Sequence, residues 1–251
     1  MNINIISKEE QAYGEFNGGE IIENKPIGFP QDGGRQKPYS NLFYWAHASA
    51  EKESLIGLHP HRGFEIMSVV LEGEMEHYDT SDEKWSPLKA GDVQLIRAGN
   101  GISHAEKMKD GSQMFQIWFD PGLQKTLAKK ASYDNYFSKD FSLLDEAGMK
   151  TRIIKDEMGP VQMDTEGVEI KEYSFDKGDH ALPAEKEKIY SMYLITGNIS
   201  LEGKQMKKRD FAIVEEADVE LKIRATDKCK LFVISSPARL NYQSYFELSG
   251  W

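Results

Sequence analysis

The chain has 251 residues, room for one large domain or two small ones. Its 31 basic and 41 acidic side chains leave a formal charge of −10, which disfavours direct nucleic-acid binding, since such binders present a basic stripe to phosphate. No run approaches the twenty or so apolar residues that span a bilayer, no secretory leader opens the chain, and the lone Cys229 excludes an internal disulfide or cysteine-based zinc cluster, so a cytoplasmic protein is expected.

The first forty residues, rich in Gly, Asn and Pro, predict short strands and turns. From Asn41, "NLFYWAHAS", "FEIMSVVLEG", "MEHYD", "DVQLIRA" and "SQMFQIWFD" are short aromatic and β-branched runs separated by turn residues, the texture of an antiparallel sandwich or barrel. Apolar residues take helical spacing around Leu123 and Leu127, and 141–160 reads as a connector with some helix. Strands resume with "VEIKEYSFD" and run through "IYSMYLITG", "NISLEG", "DFAIVEE", "VELKIRA" and "KLFVISS" towards "LSGW". The two halves repeat weakly: "VVLEGEMEH", "GDVQLIRAG" and "MFQIWF" match "YLITGNISL", "RDFAIVEEA" and "KLFVIS", with Gly73 and Asp92 answered by Gly197 and Asp210. This predicts two β-barrels of one type in tandem, 1–140 and 161–251, joined by 141–160. The second holds one histidine, His180, and counting back from Gly197 as His59 precedes Gly73 arrives at Pro183.

Chemistry concentrates in "HPHRGFE" and "GISHAE". His59 and His61, spaced one apart, project the same way from a strand, as do His104 and Glu106. If both pairs face inward on neighbouring strands, three imidazoles and a carboxylate converge in one barrel mouth and suit a first-row metal with two open positions, Fe(II) handling oxygen or a bidentate substrate among them. Glu65 is a fifth candidate, as ligand, as acceptor for a ligand histidine, or as partner of Arg62 or Arg97; spacing leaves this open. His77, after a hairpin, reads as a surface residue ahead of a pocket or ligand-supporting group, His47 and His180 as structural, and Cys229 as a small hydrophobe near a strand end.

The segments "HPHRGFE" (59–65), "LEG" (71–73) and "GDVQLIRAGNGISHAE" (91–106), with "NLFYWAH" before and "FQIWFDP" after, resemble the pirin family of the cupin superfamily. The resemblance covers about the first 140 residues. It implies an all-β bicupin of two tandem jelly-roll barrels with a few short helices in the connector, the first barrel carrying the metal and the second degenerate. It assigns His59, His61, His104 and Glu106 as ligands, Glu106 also as general base, and leaves Glu65 as a supporting group. The implied cofactor is one divalent first-row ion, Fe(II) first, with Ni, Cu, Mn, Co or Zn as other occupants. The implied activity is a quercetin 2,3-dioxygenase-like cleavage of a flavonol by O2; the other role known in the family is an iron-holding, redox-sensing co-regulator acting through a protein partner. "DTSDEKWSPLKAG" departs from the glycine-rich hairpin usual between the motifs, and Arg97 stands where many relatives carry a small residue, so the pocket rim is expected to differ.

Overall fold

The computed structural model describes residues 1–146 and 148–250; Trp251, at the end of the expected second barrel, lies outside them. In chain order the strands are β1 (Asn2–Ile6), β2 (Ala12–Phe16), β3 (Ile21–Ile27), β4 (Leu42–Ala50), β5 (Ser54–His61), β6 (Glu65–Glu72), β7 (Glu74–Asp79) and β8 (Trp85–Lys89). They continue as β9 (Val93–Arg97), β10 (Ile102–Met108), β11 (Gln113–Phe119), β12 (Ser132–Tyr136), β13 (Ser142–Glu146), β14 (Met149–Lys155) and β15 (Glu169–Phe175). The last are β16 (Gly178–Ala184), β17 (Lys188–Thr196), β18 (Asn198–Leu201), β19 (Lys204–Lys207), β20 (Phe211–Glu215), β21 (Val219–Ala225) and β22 (Cys229–Pro237). Two short helices, α1 (Leu123–Thr126) and α2 (Tyr245–Ser249), complete the inventory with a few 3-10 turns.

The chain packs as two units. The N-terminal unit comprises Gln11–Asp140, Met163–Glu166 and the segment from Asn241 on; the C-terminal unit comprises Met1–Glu10, Phe141–Gln162 and Gly167–Leu240. Each is a jelly roll of one seven-stranded and one four-stranded antiparallel sheet, not a closed barrel. The N-terminal orders are β12-β9-β6-β11-β4-β3-β2 and β5-β10-β7-β8; the C-terminal orders are β1-β20-β17-β22-β15-β14-β13 and β16-β21-β18-β19. The two correspond strand for strand. The outer strand of each long sheet is brought in from outside the hairpin it joins: β1, from the chain's N-terminus, pairs with β20, and β12 pairs with β9.

The repeated aspartates explain this arrangement. Asp92 accepts from Lys89 N through Oδ2 and from Ser138 N through Oδ1, both at 2.8 Å. Asp210 repeats this with Lys207 N at 2.8 Å and Lys8 N at 3.2 Å. Ser138 and Lys8 open the 3-10 turns that follow β12 and β1, so each aspartate anchors the visiting edge strand. The repeated glycines are equally constrained. Gly73 and Gly197 have φ of 73° and 83°, and a Cβ at Gly197 would come within 2.5 Å of the Cys229 sulfur, which makes buried Cys229 a packing residue.

Strand texture follows burial. The long-sheet strand β6 is apolar almost throughout and buried from Glu65 to Val70, whereas β21 alternates buried Leu221, Ile223 and Ala225 with exposed Glu220, Lys222 and Arg224. The helical expectation fares worse. Ser142–Glu146 and Met149–Lys155 pair as the antiparallel strands β13 and β14, and the pattern at Leu123 and Leu127 amounts to one helical turn whose leucines close over Gly63. Pairing of 132–136 with β9 outweighs the local helical spacing.

Candidate metal centre

Strands β5 and β10 pair so that His104 stands opposite His59 and Ile102 opposite His61, with a register shift between His104 and Glu106. The three imidazoles converge: their ligand nitrogens all lie within 4.8 Å of one another, and ring centroids are 4.4 to 4.8 Å apart. The Nε2 atoms of His61 and His104 are 2.8 Å apart. Two nitrogens about 2.0–2.1 Å from one ion sit roughly 2.9 Å apart at a right angle and roughly 3.4 Å apart in a tetrahedron, so this spacing fits adjacent octahedral positions. The Nδ1 of His59 lies 2.8 Å from the Gly57 carbonyl, which places a proton on Nδ1 and leaves Nε2 as the donor atom.

Burial sets the charge state. It holds the His61 imidazole down to about 3, helped by His104 and His59, and His104 down to about 2, helped by His59 and His77. Both rings are therefore neutral at physiological pH, the form that donates a lone pair to a metal.

Glu106 is fully buried but is not among the mutually close donors. Gln116 Nε2 donates to both carboxylate oxygens at 2.9 Å, and Ser68 Oγ donates at 3.3 Å. Burial pushes this carboxyl above its usual range, opposed by His77, His59, Gln116 and Ser68.

Glu65 lies elsewhere. Gly63, at φ 80°, breaks the strand, so β5 ends at His61 and β6 starts in the other sheet; the two-residue alternation does not carry from His61 to Glu65. The Glu65 carboxylate accepts from Asp164 N at 2.7 Å, Thr165 N at 2.8 Å and Thr165 Oγ1 at 2.5 Å, with Arg97 3.9 Å away. Glu65→Leu leaves three donors unmatched and is expected to lower stability by about 3 kcal/mol and to speed hydrogen exchange at Asp164 and Thr165, with metal content unchanged. Arg97 is engaged by Asp134 at 2.7 Å as well as by Glu65.

His77 corrects the surface reading. It is fully buried on β7, opposite Glu106 in the ladder, its ring 5.3 Å from that of His104 and its Nε2 3.4 Å from Asp79 Oδ2 without hydrogen-bond alignment. The signal was present in "EMEHYD", where Met75, His77 and Asp79 alternate inward. His47 is buried beside Gln113 and His180 contacts the Asp176 carbonyl, as structural residues would.

A family model described as Pirin matches residues 34–119, a span that contains all of these site residues. A Zymomonas mobilis protein provisionally named a quercetin 2,3-dioxygenase is 25% identical over 204 residues, 78% of this chain and 82% of its own length. The Escherichia coli K12 quercetin 2,3-dioxygenase is 40% identical over 68 residues, 26% of this chain and 29% of that protein. The crystal structure of the Escherichia coli bacterial pirin YhhW in complex with nickel(II) superposes with a TM-score of 0.78 at 19% identity, over 95% of this chain and all of that one. Residues 34–119 thus match the Pirin family model, and the fold of the whole chain is that of the bacterial pirin structure.

The ladders pair His59 with His104 and His77 with Glu106 in the N-terminal unit. The matching C-terminal pairs are Leu182 with Leu221 and Leu201 with Ile223, all buried and apolar. The count that arrives at Pro183 is thus one residue off the inward face. No helix among the described residues is long and apolar enough to cross a membrane.

Proposed function

We propose that this chain is a metal-dependent dioxygenase that opens a flavonol-like aromatic substrate with O2, a cytoplasmic quercetinase. The observation that carries the reading is the convergence of three imidazoles, two of them at a spacing suited to adjacent positions on one divalent ion. The relatives named as quercetin 2,3-dioxygenases and the nickel-bound neighbour support it. His59, His61 and His104 hold the ion, and Glu106 adds the carboxylate of the set. When bound, such an ion acts as a Lewis acid towards the substrate's vicinal oxygens and leaves coordination positions for O2.

The chain's own part is proton handling and positioning. Gln116 and Ser68 aim the Glu106 carboxylate, and burial raises its basicity towards that needed to take the substrate's hydroxyl proton. Fe(II) is the first occupant to test and nickel the second. Protein loaded anaerobically with either ion, mixed with quercetin and then exposed to air, is expected to bleach the flavonol absorbance and release carbon monoxide in equal amount. Absence of both with every first-row ion would overturn the reading.

A further inference from the structure

Strand β11 presents Gln116 and Trp118, two residues apart, on one face. Gln116 holds Glu106, while Trp118 stands edge-on to His61 with ring centroids 4.8 Å apart at 89°. The indole nitrogen donates to Gln116 Oε1 at 3.3 Å, which fixes the ring's attitude. Tyr44 on β4 is the ladder partner of Trp118, their rings 5.3 Å apart. Against both lies a third ring, Phe29, 4.7 Å from Tyr44 and nearly parallel to it at 24°, and 5.3 Å from Trp118, edge to face.

Phe29 differs from its neighbours in how it is held. Tyr44 and Trp118 sit on central strands of the long sheet, whereas Phe29 belongs to the loop after β3 and is half-buried. Asp32 ties that loop to β3: its Oδ2 accepts from Phe29 N at 2.9 Å and pairs with the buried Lys25 ammonium at 3.1 Å, Lys25 also lying 3.5 Å from Glu23, and Asp32 N donates to the Phe29 carbonyl at 2.9 Å. An aromatic ring on a strap of loop tied to β3 through the Lys25–Asp32 pair, stacked one ring away from a metal-ligand candidate, is geometrically what an incoming flat molecule would replace.

We propose that Phe29 and a planar aromatic ligand compete for one seat on Tyr44 and Trp118, and that the Lys25–Asp32 pair latches Phe29 into it. This rests on the dioxygenase reading for the ligand's identity and adds to it the specificity-determining residues: the seat selects flat, unsubstituted ring faces, and the strap sets the threshold for entry.

The test uses flavone, which lacks the 3-hydroxyl and does not chelate through it, as a probe with full-length protein, both metal-free and metal-loaded. Binding is read from quenching of tryptophan fluorescence, with Trp118→Phe as the signal control. Phe29→Ala is expected to tighten flavone binding roughly five-fold, and Asp32→Ala, which keeps the ring but frees the strap, to tighten it by a smaller factor. KM for quercetin should fall in the same order. Unchanged or weaker flavone binding in both variants would overturn the proposal; should Phe29→Ala fail to fold, Asp32→Ala alone decides. Tightened flavone binding without quercetin consumption at any metal would leave the seat standing and remove the dioxygenase reading. Quercetin turnover with flavone affinity unmoved would do the reverse.

Discussion

Replacing His104 with alanine is expected to reduce metal retained through purification from about one ion per chain to a trace. Its imidazole is fully buried, its Nε2 lies 2.8 Å from that of His61, and it is the only one of the three that reaches the centre from β10. With it gone, His59 and His61 remain as the two imidazole donors, both on one strand, and loss of one of the three converging imidazoles weakens binding by well over the roughly 10- to 100-fold that supporting residues command. Metal-linked stability goes with it: about 4 kcal/mol at a thousand-fold excess of ion over Kd in the native protein, and none in the variant. His77→Ala serves as the contrast, since it removes a buried ring 5.3 Å away without removing one of the three converging donors, and should keep most of its metal. Elemental analysis of the purified proteins and thermal unfolding with and without added ion read both effects. Full metal content in a His61→Ala, His104→Ala double variant would end the case for this centre.

How far the sequence reveals this site depends on where strand alternation is interrupted. His59, His61 and His104 were legible because each pair lies within one strand, where a period of two holds. Glu65 misled because alternation was carried through Gly63, whose left-handed backbone hands the chain from the four-stranded to the seven-stranded sheet. The surface reading of His77 fails although the residue alternates with Met75, because Glu74 and Glu76 mark the hairpin as exposed when only one of its faces is. The tandem repeat was visible in Gly73, Asp92, Gly197 and Asp210, yet what the aspartates do was not: both bind the turn after a strand distant in sequence, and the partner of an isolated edge strand such as β1 leaves no local trace. Phe29 and Tyr44 likewise meet only through tertiary packing.

Acid should unfold the metal-free protein well before its carboxylates alone would allow. His61 is held to about 3 and His104 to about 2 in the folded chain, against 6.5 for a free imidazole, and burial is the main cause in both. A base with a depressed folded pKa stays neutral in the native state while the unfolded chain takes up its proton, so below pH 6.5 unfolding gains protons and stability drops as pH falls. The slope is about 1.4 kcal/mol per pH unit for each histidine, accumulating for His61 to roughly 5 kcal/mol near pH 3. Glu106 and Glu65, both raised by burial, act in the opposite sense, because their folded forms take up protons before the unfolded ones do. The histidine contribution is isolated by difference. Urea unfolding of wild type and His61→Gln at pH 7, 6 and 5, both stripped of metal, should converge in stability by about 1.4 kcal/mol for each unit below 6.5, since the carboxylates are common to both. Parallel curves across that range would show that the His61 imidazole is solvated and charged, and a ring in that state does not offer its lone pair to the ion that His59 and His104 are placed to share.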